Sequence, residues 1–84
     1  MACWVIAVRG TVNYRVVEEL EKVYNAIREK YGHCFRMRKL FGRYLIVCDT
    51  EDRCYDSEGL LKEFIAPPCI VLLTPERFLE EIVW

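Results

Sequence analysis

Three carboxylates in one short stretch, Asp49, Glu51 and Asp52, are the side chains whose type and spacing best suit chemistry in this sequence. Carboxylates at the end of a strand hold Mg²⁺, which takes oxygen ligands and keeps several of its waters. Glu76, just past a later apolar run, is the fourth candidate ligand. The reaction such a set implies is metal-assisted hydrolysis of a phosphodiester. The same residues also describe a solvated acidic turn followed by an acidic residue in the first turn of a helix. Magnesium is the cofactor only on the first of these readings; on the second no cofactor is expected.

Sulfur is the second source of chemistry. The five cysteines are Cys3, Cys34, Cys48, Cys54 and Cys69. No two show the C-x-x-C spacing of a zinc knuckle or a thioredoxin-like motif. Cys48 and Cys54, with Asp49 to Arg53 between them, are closest in sequence and are the disulfide or redox candidates. Cys54 sits in irregular sequence and is expected to be the most exposed thiol. Cys3, Cys48 and Cys69 fall in apolar runs and read equally as small buried apolar groups. Gln is absent, Asn occurs only at Asn13 and Asn25, and 30% of residues are charged, a composition that fits a thermophile. Intracellular proteins of hyperthermophiles are often disulfide-rich. One or two disulfides, or none, both fit the sequence.

The single His33 precedes Cys34. Adjacent residues of a strand point to opposite faces, which argues against a His–Cys dyad there. The single Ser57 stands where a helix begins and reads as an N-cap. A His-rich zinc site is excluded, and no complete catalytic set is present.

A cluster of cations, Arg36, Arg38, Lys39 and Arg43, is interleaved with Phe35, Phe41 and Tyr44. Cations with stackable aromatics on a hairpin suit single-stranded nucleic acid. The same cations also guard an edge strand against aggregation. The chain as a whole has 12 basic and 13 acidic residues and a net charge of -1, so a broad nucleic-acid footprint is absent.

The elements that must position these groups follow from periodicity. Cys3–Val8 is a short apolar, β-branched run, a buried strand. Val16, Leu20, Val23, Tyr24, Ile27 and Tyr31 recur at three and four, giving a helix over about 14–31. Asn13 is placed to cap it, Gly32 to end it, and Glu18 to pair with Lys22. His33–Arg38 alternates as a half-solvated strand, with Gly42 in the turn to Tyr44–Cys48. Leu60, Leu61, Phe64 and Ile65 make a short helix capped by Asp56 or Ser57 and stopped by Pro67-Pro68. Cys69–Leu73 is the last strand. Thr74-Pro75 starts a final helix with Phe78, Leu79, Ile82 and Val83 as its buried stripe.

With 84 residues, 54% of them apolar, the chain is expected to form one domain over 1–84. The order β-α-β-β-α-β-α predicts an α+β fold, the ferredoxin-like split β-α-β, with an additional C-terminal helix. The alternative is a small three-layer α/β sheet, mostly parallel. Three strands are apolar at nearly every position, so both sheet faces need cover, from the final helix or from a second subunit. A homo-oligomer is therefore expected, with Trp4 and Trp84 as interface candidates. No apolar run approaches the ~20 residues of a membrane span. No secretory leader pattern is present. A soluble, intracellular protein is the expectation.

From Tyr44 to Ile82 the chain resembles the C-terminal part of PIN-type ribonuclease domains. The residues concerned are YLIVC, Asp49-Thr50-Glu51-Asp52, CIVLL and Thr74-Pro75-Glu76-Arg77-Phe78-Leu79. That likeness implies a Mg²⁺-dependent nuclease. It covers under half of the chain, and Arg9-Gly10-Thr11 stands where the family carries an Asp after its first strand. The leading expectation is instead a small binding module. It self-associates and contacts protein or nucleic acid through the basic hairpin.

Overall fold

The fold is that of a computed structural model, described here for residues 2–11, 13–51 and 53–83. Seven elements follow in order: β1 (Cys3–Val8), α1 (Tyr14–Tyr31), β2 (Phe35–Leu40), β3 (Tyr44–Asp49), α2 (Ser57–Lys62), β4 (Ile70–Leu73) and α3 (Pro75–Val83). The four strands form one sheet in the order β2-β3-β1-β4, and every neighbouring pair is antiparallel. The protein is thus a small α+β fold with a four-stranded antiparallel sheet and three helices. A mostly parallel three-layer sheet does not describe it.

Helix α1 forms where the apolar spacing predicts it. The Asn13 side chain accepts from the N–H groups of Arg15 and Val16 at 2.9 and 3.2 Å, satisfying donors that the first turn leaves free. Val16, Leu20, Val23 and Ile27 are its buried stripe. At its end a Cβ on Gly32 would run into the Arg28 carbonyl, which is why a glycine fits there. On the solvent side Lys22 pairs with Glu19 at 3.7 Å, not with Glu18.

The β2–β3 hairpin turns through Phe41 and Gly42, both with positive φ (56° and 75°). The Arg43 N–H closes the turn on the Leu40 carbonyl. Positive φ at both central residues is the pattern of a type I′ turn, which matches the twist of the paired strands. Strand β2 starts at Phe35, two residues later than the alternation implies. Cys34 therefore belongs to the turn after α1 and is fully buried against the helices.

The sheet is covered on both faces. Ile6, Val8, Leu45, Val47 and Phe35 pack against α1 and against Leu61 of α2. Val5, Ala7, Tyr44 and Leu73 face the other way and are covered by Phe78 of α3. The Tyr44 and Phe78 rings meet edge-to-face at 4.9 Å. The cover that the all-apolar strands demand is thus supplied by α3. Arg9, past the end of β1, donates twice to the Glu81 carboxylate and fastens α3 there. The Arg9 guanidinium holds the Glu81 carboxyl below its ordinary value, outweighing the opposing effect of partial burial.

Helix α2 begins at Ser57, and its cap is Asp56, whose side chain accepts from the Gly59 N–H at 3.3 Å. A Cβ at Gly59 would collide with that carboxylate. Strand β4 begins at Ile70, so Cys69 precedes it, and it is exposed and free. Two cysteine pairs lie at disulfide distance. Cys3 and Cys48 face each other across β1 and β3 with Cα atoms 4.0 Å apart; Cys34 and Cys54 are 5.5 Å apart. Cys48 and Cys54 are each paired, but not with one another.

Candidate functional site

One end of the sheet gathers most of the reactive side chains. The turn Gly32–Cys34 enters β2 there, and the turn Thr50–Arg53 leaves β3 beside it. Backbone chemistry holds the two turns together. The Thr50 N–H and its hydroxyl both donate to the Cys34 carbonyl at 2.9 Å, and the Cys34 N–H donates to the Tyr31 carbonyl. Cys54, half-buried in the next turn, completes the pair with Cys34. The exposed His33 ring lies over both sulfurs, with Nε2 3.5 Å from Cys34 Sγ and 3.9 Å from Cys54 Sγ. Alternation along a strand hid this arrangement, because residues 32–34 are turn and the rule does not apply to them. The readable signal was the His33-Cys34 pair directly after the helix-ending Gly32.

An open cleft runs beside this cluster, lined by Gly32, His33, Phe35, Arg36, Thr50 and Arg53 among others. Arg53 stands 3.8 Å from Glu51 at the surface. Arg36 and Arg38 project from one face of β2, an edge strand, and both are exposed. Neither guanidinium has a carboxylate partner among the described residues. The other two cations of the sequence cluster are placed differently. Lys39 points to the α1 side, 2.5 Å from Glu21 and 5.0 Å from the centre of the Tyr24 ring. Arg43 donates to the Gly10 carbonyl. Of the interleaved aromatics, Phe35 and Tyr44 are core, and Phe41 is 66% exposed at the hairpin tip. Tyr55, two residues beyond Arg53, is 96% exposed.

The carboxylates do not gather. Asp49 is only 4% exposed and accepts from the Ser57 hydroxyl at 2.5 Å, while its Oδ1 has no partner among the described residues. Glu51 points to solvent beside Arg53. Glu76 opens α3 past β4, two strand spacings or about 10 Å across the sheet from β3. Asp52 and Trp84 lie outside the described residues. Because β1 runs antiparallel to β3, Arg9 and Asn13 sit at the opposite end of the sheet from Asp49. Among the described residues, the one group of three potential metal ligands is His33, Cys34 and Cys54.

The chain matches no protein-family model, and no curated protein or solved structure shows a significant match.

Proposed function

We propose that this protein is a small non-catalytic binding module that contacts single-stranded nucleic acid along its β2 edge. The observation that carries the reading is the pair Arg36 and Arg38. They are exposed on one face of an edge strand, lack carboxylate partners among the described residues, and lead into a cleft that Arg53 also lines. Residues two apart along a strand have Cα atoms roughly 6.6 Å from each other, so their guanidinium groups can reach successive phosphates of an extended strand. Phe41 and Tyr55 offer exposed rings on which bases stack. Lys39 and Arg43 steady the hairpin through Glu21 and Gly10 and are assigned no direct contact.

The ferredoxin-like arrangement belongs to the same reading. Two β-α-β halves, β1-α1-β2 and β3-α2-β4, interleave in one sheet, with α1 and α2 on one face and α3 added on the other. Magnesium-dependent cleavage finds less support. Asp49 is committed to Ser57, and Glu76 lies across the sheet.

The test is fluorescence anisotropy with a labelled single-stranded oligonucleotide over a range of salt concentrations. Each phosphate contact to a single strand contributes about 0.7 to the slope of log affinity against log salt. Arg36→Ala with Arg38→Ala should weaken binding and lower that slope by about 1.4. Titration curves unchanged by the double substitution would remove the reading.

A further inference from the structure

We propose that His33, Cys34 and Cys54 bind a borderline-soft divalent metal ion of the zinc class once the Cys34–Cys54 disulfide is reduced. The proposal is independent of nucleic-acid binding at Arg36 and Arg38, and either stands without the other.

The geometry carries it. The three ligand atoms lie within 4.8 Å of one another. In a tetrahedral zinc site, with Zn–N about 2.0–2.1 Å and Zn–S about 2.3 Å, the N···S edge is roughly 3.6 Å and the S···S edge roughly 3.8 Å. His33 Nε2 stands 3.5 and 3.9 Å from the two sulfurs, so both N···S edges of that tetrahedron are already in place. The remaining edge requires the sulfurs to part from bonding distance, about 2.05 Å, to about 3.8 Å. Cys34 is held by Thr50 and Tyr31 and is buried. Cys54 lies in a surface turn and is only half-buried, so it is the sulfur free to move. Three protein ligands beside an open cleft leave the fourth position to water, the pattern of open zinc sites.

A dithiol reductant gives two electrons and two protons to the sulfur–sulfur bond. That bond breaks to two thiols, and the reductant closes to its own disulfide. The metal ion then displaces both thiol protons to solvent and takes the lone pair of His33 Nε2, with the ring proton on Nδ1. Two thiolates neutralise the dication. Disulfide and metal exclude each other because they use the same two sulfurs.

The test uses the full chain, reduced with a dithiol and freed of it anaerobically, then titrated with Co²⁺ alone. One equivalent should bind, with visible ligand-field bands of a tetrahedral ion and thiolate charge-transfer absorption, and Zn²⁺ should displace it. The oxidised protein should take up none. His33→Ala removes an exposed side chain and leaves the core intact. It should weaken cobalt binding at least tenfold, the lower end of what losing even an outer-shell partner costs, about 10–100-fold. Cys54→Ser should abolish the charge-transfer spectrum, and Cys69→Ser should leave it unchanged. A reduced wild-type chain that takes up no cobalt would overturn the proposal. So would a His33→Ala variant with unaltered affinity and spectrum, which would place the ion on the other thiols.

Discussion

The Asp49 carboxylate is buried with one oxygen on Ser57 and the other without a partner among the described residues. A buried acceptor with a single donor depends heavily on it. Ser57→Ala leaves the carboxylate with none, at a cost of about 1–3 kcal/mol. For a chain of this size that lowers the melting temperature by about 4–8 °C per kcal/mol. Calorimetry should show such a drop; an unchanged melting temperature would mean that Ser57 is not the group that satisfies Asp49. At this scale the sequence was only partly readable. Asp49 could be picked out as the head of an acidic turn, but nothing in the residue string says that β3 extends to include it. Ser57 reads as a cap by type, yet Asp56 takes that task and frees the hydroxyl for Asp49. His33 and Cys34 were visible as neighbours, and their convergence on Cys54 depends on a turn that pattern alone assigns to a strand.

Elements with a strong period were legible. The stripe from Val16 to Ile27 defines α1, and apolar runs define β1, β3 and β4, because these patterns record burial directly. Strand β2 was displaced by two residues, since its alternation of cations and apolar groups has no sharp beginning. Helix α3 was legible as a helix, but its docking depends on a contact between residues 72 positions apart in the chain, Arg9 and Glu81. That contact has a testable pH dependence. The folded state holds the Glu81 carboxyl below its ordinary value of 4.5, mainly through the hydrogen bond from Arg9. The unfolded chain therefore binds this proton more readily, so the stabilisation is complete above about pH 4.5 and is lost as pH falls through the lower folded value. The pair is partly exposed, so its worth is on the order of 0–1 kcal/mol. Amide protection in α3, corrected for the intrinsic exchange rate at each pH, should fall on acidification ahead of protection in α1. Glu81→Gln should lower α3 protection by up to about fivefold already at neutral pH, with little further acid effect. Equal acid sensitivity of the two helices in the wild type would contradict the role given to this contact.

For the whole molecule, the radius of gyration of 12.1 Å matches the roughly 12 Å expected of a compact chain of this length. No helix among the described residues is long and apolar enough to cross a membrane. The sheet's second face is covered from within, yet of the α3 stripe expected to be buried only Phe78 is, and Leu79, Ile82 and Val83 are exposed. The self-association expected from the sequence would use that stripe. Sedimentation should show a species of about twice the 10.0 kDa chain mass, and Leu79→Glu should return it to the monomer. A wild-type monomer at high concentration would end that part of the account. The need for cover on both faces could be read from strand composition. Which element provides it could not, because strand order and helix docking are set by contacts between distant segments.

The central claim is that ligand binds along the β2 edge and the adjoining cleft. Backbone amide shifts of the isotopically labelled protein, followed while a short single-stranded oligonucleotide is added, test it most directly. Shifts should concentrate at Arg36, Arg38, Arg53 and Tyr55 and leave the solvent face of α1 untouched. Shifts spread evenly over the surface, or confined to residues outside β2 and the 50–55 turn, would contradict it.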